Sequence, residues 1–173
     1  KGTLLINGVT TTVFRNSNPD GDGVAENDFS KKTSSGLYDW EVVRDGDSNR
    51  PHQFVRFPAA PGSSFTQSLS DMGLNQDLDR DGIVERFSLT ATTTVVGLGN
   101  VNVPAGVLPM TLKIRTVLTG GATVSSTRKR VALTVTVVEW YTQNLGLSKQ
   151  TLSSRMTYDG RVWNDTRTSE LTE

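Results

Sequence analysis

An all-β, antiparallel fold is what this sequence predicts, and three features predict it. Apolar residues recur at period two rather than 3.6 along most of the chain. Threonine and valine crowd the stretch from Leu89 to Val138, where β-branched side chains favour a pleated backbone. Asn-Gly, Asp-Gly and Gly-Gly pairs punctuate the apolar runs, as tight hairpin turns require. Together they predict an antiparallel sandwich or a partly open β-barrel built from long hairpins, with little or no helix.

The elements follow in chain order. Leu4-Leu5-Ile6, Asn7-Gly8 and Val9 to Phe14 read as a hairpin with a type I′ turn. Leu37 to Val43 and Gln53 to Phe57 read as strands around a turn-rich Asp45 to Arg50. Pro58-Ala59-Ala60-Pro61-Gly62 suits a surface loop, or a hinge that would divide one β-domain, residues 1–173, into halves 1–60 and 61–173. Ser68 to Gln76 has room for one helical turn. Ile83, Phe87, Leu89, Ala91 and Val95 form an apolar face interrupted by Glu85. Gly97-Leu98-Gly99-Asn100 reads as a turn.

Met110, Leu112, Ile114, Thr116 and Leu118 fall on one face of the next strand, with Lys113 and Arg115 on the other. Gly120-Gly121 suits a turn. The return runs through Val131, Leu133, Val135 and Val137. It then shifts to Val138 and Trp140, a one-residue slip that predicts a β-bulge. Arg128-Lys129-Arg130 reads as a basic run in a strand, solvated or guarding an edge. Leu152 to Tyr158, a turn at Asp159-Gly160, and Arg161 to Trp163 close the series.

Bulk chemistry narrows the function classes. Lys plus Arg and Asp plus Glu number 18 each among 173 residues, so net charge gives no reason to expect nucleic acid or an anionic membrane as partner. No apolar run approaches the roughly 20 residues of a spanning helix. The chain opens at Lys1-Gly2-Thr3 inside an apparent strand, which suits a trimmed mature fragment. Cysteine is absent, which removes disulfides, thiol catalysis and thiolate metal sites.

The strongest chemical signal is Asp77-Leu78-Asp79-Arg80-Asp81-Gly82-Ile83-Val84-Glu85. Calcium takes six to eight oxygens at about 2.3–2.6 Å, and alternate carboxylates in a curled loop can point inward together. Gly82 permits the sharp bend, the Ile83 carbonyl can add a main-chain oxygen, and Glu85 can close the shell. Residue 88, where an EF-hand would carry its closing glutamate, is Ser88, so this is a short loop of the β-hairpin kind. Asn18-Pro19-Asp20-Gly21-Asp22-Gly23-Val24-Ala25-Glu26 copies the pattern, with Asn18, Asp20, Asp22, Val24 and Glu26 as ligands. Asp, Asn and Gly also collect in turns for reasons of backbone geometry. Turn chemistry accounts for Asp45 to Asn49, and both readings stand for Asn18 to Glu26. At Asp77 to Glu85 the mutual repulsion of the carboxylates favours a structural calcium.

Catalytic patterns are sparse. His52 is the one histidine, and no Gly-x-Ser-x-Gly accompanies it. Glu139 beside Trp140 is the one strand acid that could serve as a buried general acid. Tyr38, Trp40, Trp140, Tyr141 and Trp163 could form a sugar-stacking row, or anchor the core.

Two segments carry a resemblance. Val101-Asn102-Val103-Pro104-Ala105-Gly106 precedes the strand bearing Leu112-Lys113-Ile114. Glu139-Trp140-Tyr141-Thr142-Gln143-Asn144-Leu145-Gly146-Leu147-Ser148-Lys149 follows it. The pair resembles bacterial exported proteins and lipoproteins of unknown function, whose recurring text is V-P-A-G and W-Y-A-P-G-V-G-L-V-K. Gln143, Asn144 and Ser148 depart from that text. The resemblance implies an antiparallel β-rich envelope domain with no established catalytic residue. Physically, Pro104 and Gly106 read as strand-entry punctuation, and Trp140 and Tyr141 as anchors of the strand end in the core. The expectation is a non-enzymatic, calcium-stabilised, extracytoplasmic scaffold or binding module. Its partner would be a polysaccharide or another envelope protein. The alternatives are a carbohydrate-binding module of a larger secreted enzyme and a hydrolase using Glu139 or His52.

Overall fold

The computed structural model describes residues 2–6, 9–16, 26–39, 52–73 and 77–172. Among them every regular element is a strand, and every pairing is antiparallel. The chain forms two compact units, Lys1–Ala59 and Ala60–Glu173. The segment Pro58 to Gly62 contains their boundary, with a turn at Pro61-Gly62.

The first unit is a five-stranded meander of β1 (Gly2–Ile6), β2 (Val9–Asn16), β3 (Glu26–Thr33), β4 (Gly36–Asp39) and β5 (His52–Arg56). Pairing of Ile6 with Val9 leaves two residues for the first hairpin turn; the turn itself lies outside the described residues. Val55 and Thr11 are its fully buried side chains among those described.

The second unit is a six-stranded meander of β6 (Ser64–Gly73), β7 (Arg86–Val103), β8 (Gly106–Thr123), β9 (Arg130–Thr142), β10 (Gly146–Tyr158) and β11 (Arg161–Glu170). Phe87, Leu89, Ala122, Val124, Val131 and Leu133 form its core. Leu69, Leu78, Leu118, Val135, Met156 and Tyr158 pack around them. Burying each large apolar side chain contributes about 1.5–3 kcal/mol, so this cluster fixes the register of β7, β8 and β9. At the opposite end of the hairpins, Ala105 N–H donates to the Leu171 carbonyl (3.2 Å), and Leu171 N–H donates to the Ser148 carbonyl (2.9 Å). The sheet therefore curls until its β7–β8 tip meets the segment after β11.

Several local expectations are corrected. Ser68 to Gly73 is strand within β6, so the helical turn is absent there; residues 74–76 lie outside the described set. Gly97 to Asn100 and Gly120-Gly121 are not turns but interior positions of two 18-residue strands. Gly121 is required where it stands, because a Cβ would run into the Val131 carbonyl of β9. The turns fall instead at Pro104-Ala105 and Ser125 to Thr127. Ile83 is 57% exposed and precedes β7, so it is not part of the apolar face of that strand. Met110, with φ of 52° and 67% exposure, likewise leaves the face of Leu112, Ile114, Thr116 and Leu118.

The β8–β9 register is unbroken past Val137; the bulge lies opposite, on β10, where Leu147 pairs with Tyr141 and Lys149 with Trp140. Ser148 is the extra residue. It is 2% exposed, and its hydroxyl donates to Thr142 Oγ1 (2.8 Å), which is also paired with Thr111 Oγ1 (3.0 Å). Of the basic run only Arg130 is in a strand.

Candidate metal centre

The segment Asp77 to Glu85 joins β6 to β7 as a curled loop. Positive φ at Arg80 (62°) and Gly82 (85°) bends it back on itself. Asp77 accepts the N–H groups of Asp81 (3.2 Å) and Gly82 (3.0 Å), Asp79 accepts Asp81 N–H (3.3 Å), and Asp81 accepts Ile83 N–H (2.8 Å). Leu78 reaches into the core, while its N–H donates to Glu85 Oε2 at 2.7 Å. Glu85, 2% exposed, thus closes the loop across seven residues.

Asp77, Asp79 and Glu85 each present a carboxylate oxygen within 4.8 Å of the others. Two oxygens bound to one calcium at about 2.5 Å can be no more than about 5 Å apart, so the spacing fits a shared cation. Asp81 is drawn to the same place through Ser125. Ile83 contributes its N–H to Asp81 and turns its side chain to solvent.

Two residues that the sequence did not single out complete the cluster. Ser125 and Ser126, on the turn between β8 and β9, face the loop. Ser125 Oγ lies 2.5 Å from Asp81 Oδ2, 3.4 Å from Asp79 Oδ2 and 3.5 Å from Glu85 Oε1. Ser126 N–H donates to Asp79 Oδ2 at 3.0 Å. A serine hydroxyl carries one hydrogen, and the shortest contact assigns it to Asp81. The same turn serves the other two oxygens from its main chain: Ser126 N–H donates to Asp79 and Ser125 N–H donates to Glu85 Oε1 at 3.5 Å.

Hydrogen bonding from Ser126 is the main cause that holds the Asp79 carboxyl down at about 2; desolvation opposes it, and Asp81 adds to the lowering. Among the described residues no lysine or arginine lies within ion-pair distance of the four carboxylates. Among the described residues the cluster is therefore a compact set of anionic oxygens met by hydrogen-bond donors and no cationic side chain. The donor set is all oxygen, and partly anchored in the core, as hard cations such as calcium require.

The other predicted positions are placed differently. Asn18, Asp20, Asp22 and Val24 lie outside the described residues, as do Asp45 to Asn49; Glu26 opens β3, but its side chain is not described. His52 opens β5. Its Nε2 is buried with no hydrogen-bond partner among the described residues, and burial lowers its pKa. Glu139 Oε1 accepts Tyr141 OH (3.0 Å) and Gln150 Nε2 (3.2 Å).

Within the second unit Trp140, Tyr141 and Trp163 do not all share one face of the sheet. Trp40 lies outside the described residues, and Tyr38 is in the first unit. Register puts Tyr141 and Trp163 on the core face of the second sheet and Trp140 on the reverse. Trp140 and Tyr141 are both half-buried. Trp140 lies between the ammonium groups of Lys113 (5.0 Å) and Lys149 (5.8 Å), and Lys149 pairs with Glu170. No helix among the described residues is long and apolar enough to cross a membrane. Comparison with known protein families, with characterised proteins and with solved structures finds no match to this chain.

Proposed function

We propose that the chain is a non-enzymatic, extracytoplasmic β-module in which calcium at Asp77, Asp79, Asp81 and Glu85 ties the β6–β7 loop to the β8–β9 turn. The module acts as a scaffold or binding domain of a bacterial envelope or secreted protein. The observation that carries the metal is the approach of the Asp77, Asp79 and Glu85 carboxylate oxygens to within 4.8 Å of one another, with no lysine or arginine among the described residues paired to them. Extracellular calcium is plentiful, so even a weak site of this kind stays filled and serves structure. The location rests on the resemblance of the V-P-A-G and W-Y segments to exported proteins.

A thermal melt tests the proposal. At calcium 100-fold above Kd, binding adds about 2.7 kcal/mol of stability, and the melting temperature rises by about 5 °C or more. A chelator reverses the rise, and the double change Asp79→Ala and Asp81→Ala removes it. Superimposable melts with calcium and with chelator would dismiss the metal.

A further inference from the structure

The same turn that meets the acidic loop borders a second feature. A shallow groove of about 530 Å³ runs over the reverse face of the sheet, past Arg86, Ser88, Thr123, Arg128 and Arg130. That volume is within the range of small-ligand sites. Its floor is low for a structural reason. Ser88 and Gly121 stand side by side in register across β7 and β8, and neither carries a large side chain. Gly121 must lack one, because the Val131 carbonyl occupies the place of its Cβ.

The rim is cationic. Hydrogen bonds Val124 N–H to Lys129 O (2.9 Å) and Arg128 N–H to Val124 O (3.0 Å) fix the turn, with Arg128 at φ of 58°. Lys129 is turned away and paired with Asp159 at 2.6 Å. Arg128 and Arg130 line the groove instead, and neither has an ion-pair partner among the described residues. Arg86 lines the groove too, already engaged in another interaction, and the one lining carboxylate is the buried Glu85.

We propose that this groove binds a carboxylate-bearing polysaccharide. Guanidinium forks match carboxylates bidentately. Ser88 and Thr123 offer hydroxyls to a polyhydroxylated chain, and exposed Ile83 and Val84 offer an apolar border for sugar C–H faces. An acidic peptide fits less well, because the floor strands are paired on both sides and present no main-chain edge for β-addition. The inference rests on the binding-module reading above but not on its metal.

The experiment is titration of the whole chain with short oligogalacturonides at low salt, followed by calorimetry. Binding is expected with oligogalacturonides and not with neutral dextran oligomers, and it is expected to persist in chelator. Arg128→Ala with Arg130→Ala is expected to weaken it at least tenfold while leaving the melting temperature and its response to calcium in place. Unchanged binding by that variant, equal binding of dextran, or loss of binding in chelator alone would overturn the groove. Equal binding of oligoglutamate would replace the glycan by an acidic peptide and overturn the ligand class. Failure of the calcium melt with arginine-dependent binding intact leaves the groove standing without the metal.

Discussion

The Ser125 hydroxyl reaches the Asp81 carboxylate at 2.5 Å across 44 residues of sequence, and so joins the turn after β8 to the loop before β7. Ser125→Ala removes one donor and one oxygen ligand together. Without calcium the loss is about 1 kcal/mol, the net worth of one hydrogen bond. With calcium the affinity falls several-fold, so the melting temperature gained from the ion shrinks. Calorimetric titration of the variant checks this; wild-type affinity would remove Ser125 from the site.

Acid should act through Asp79. Its folded pKa of about 2 lies below the ordinary 3.8, so its ionised form stabilises the fold. That contribution is complete above about 4 and is lost as pH falls through about 2. The same protonation expels a bound cation. Melting curves from pH 5 to pH 2 should fall in this window, and Asp79→Asn should flatten that part of the decline.

His52 should act in a higher window. Burial lowers its folded pKa, so protonation favours the unfolded chain. Stability is greatest above about 6.5 and declines as pH drops from there toward the lowered folded value. His52→Leu should remove this slope, as read by urea midpoints at pH 7.5 and pH 5. An unchanged slope would show that the imidazole is solvated.

Gly121→Ala tests the central strand. The added methyl meets the Val131 carbonyl, and β8 and β9 must part to admit it. A loss of about 3 kcal/mol or more is expected in urea unfolding, against a few tenths for an exposed Ala substitution at Arg115.

Much of the strand pattern was legible because alternation directly reports a half-buried sheet. The alternating runs from Leu89 to Val95 on β7 and from Val131 to Val137 on β9 face the core as their spacing demands. Glycine misled the reading at Gly97, Gly120 and Gly121. The same residue serves a turn or a strand: at Gly120 and Gly121 the neighbouring strands crowd it, and at Gly97 a register shift with φ of 150° uses it. Ile83 misled it because apolar character does not show where a strand begins. In the candidate site, the acids of one loop were legible from their spacing. Ser125 and Ser126 were not, since a Ser-Ser pair in a turn carries no signal until the fold brings it to Asp79 and Asp81.

The contacts of Leu171 give the sheet a mechanical property. Its N–H holds Ser148 and its carbonyl holds Ala105, while β11 lies at the sheet edge. Tension on the C-terminus would first load this two-bond latch, and only after its rupture could β11 unzip from β10 residue by residue. In a module tethered through that end, yielding would begin at the latch and leave the strands around Phe87 and Val131 for last.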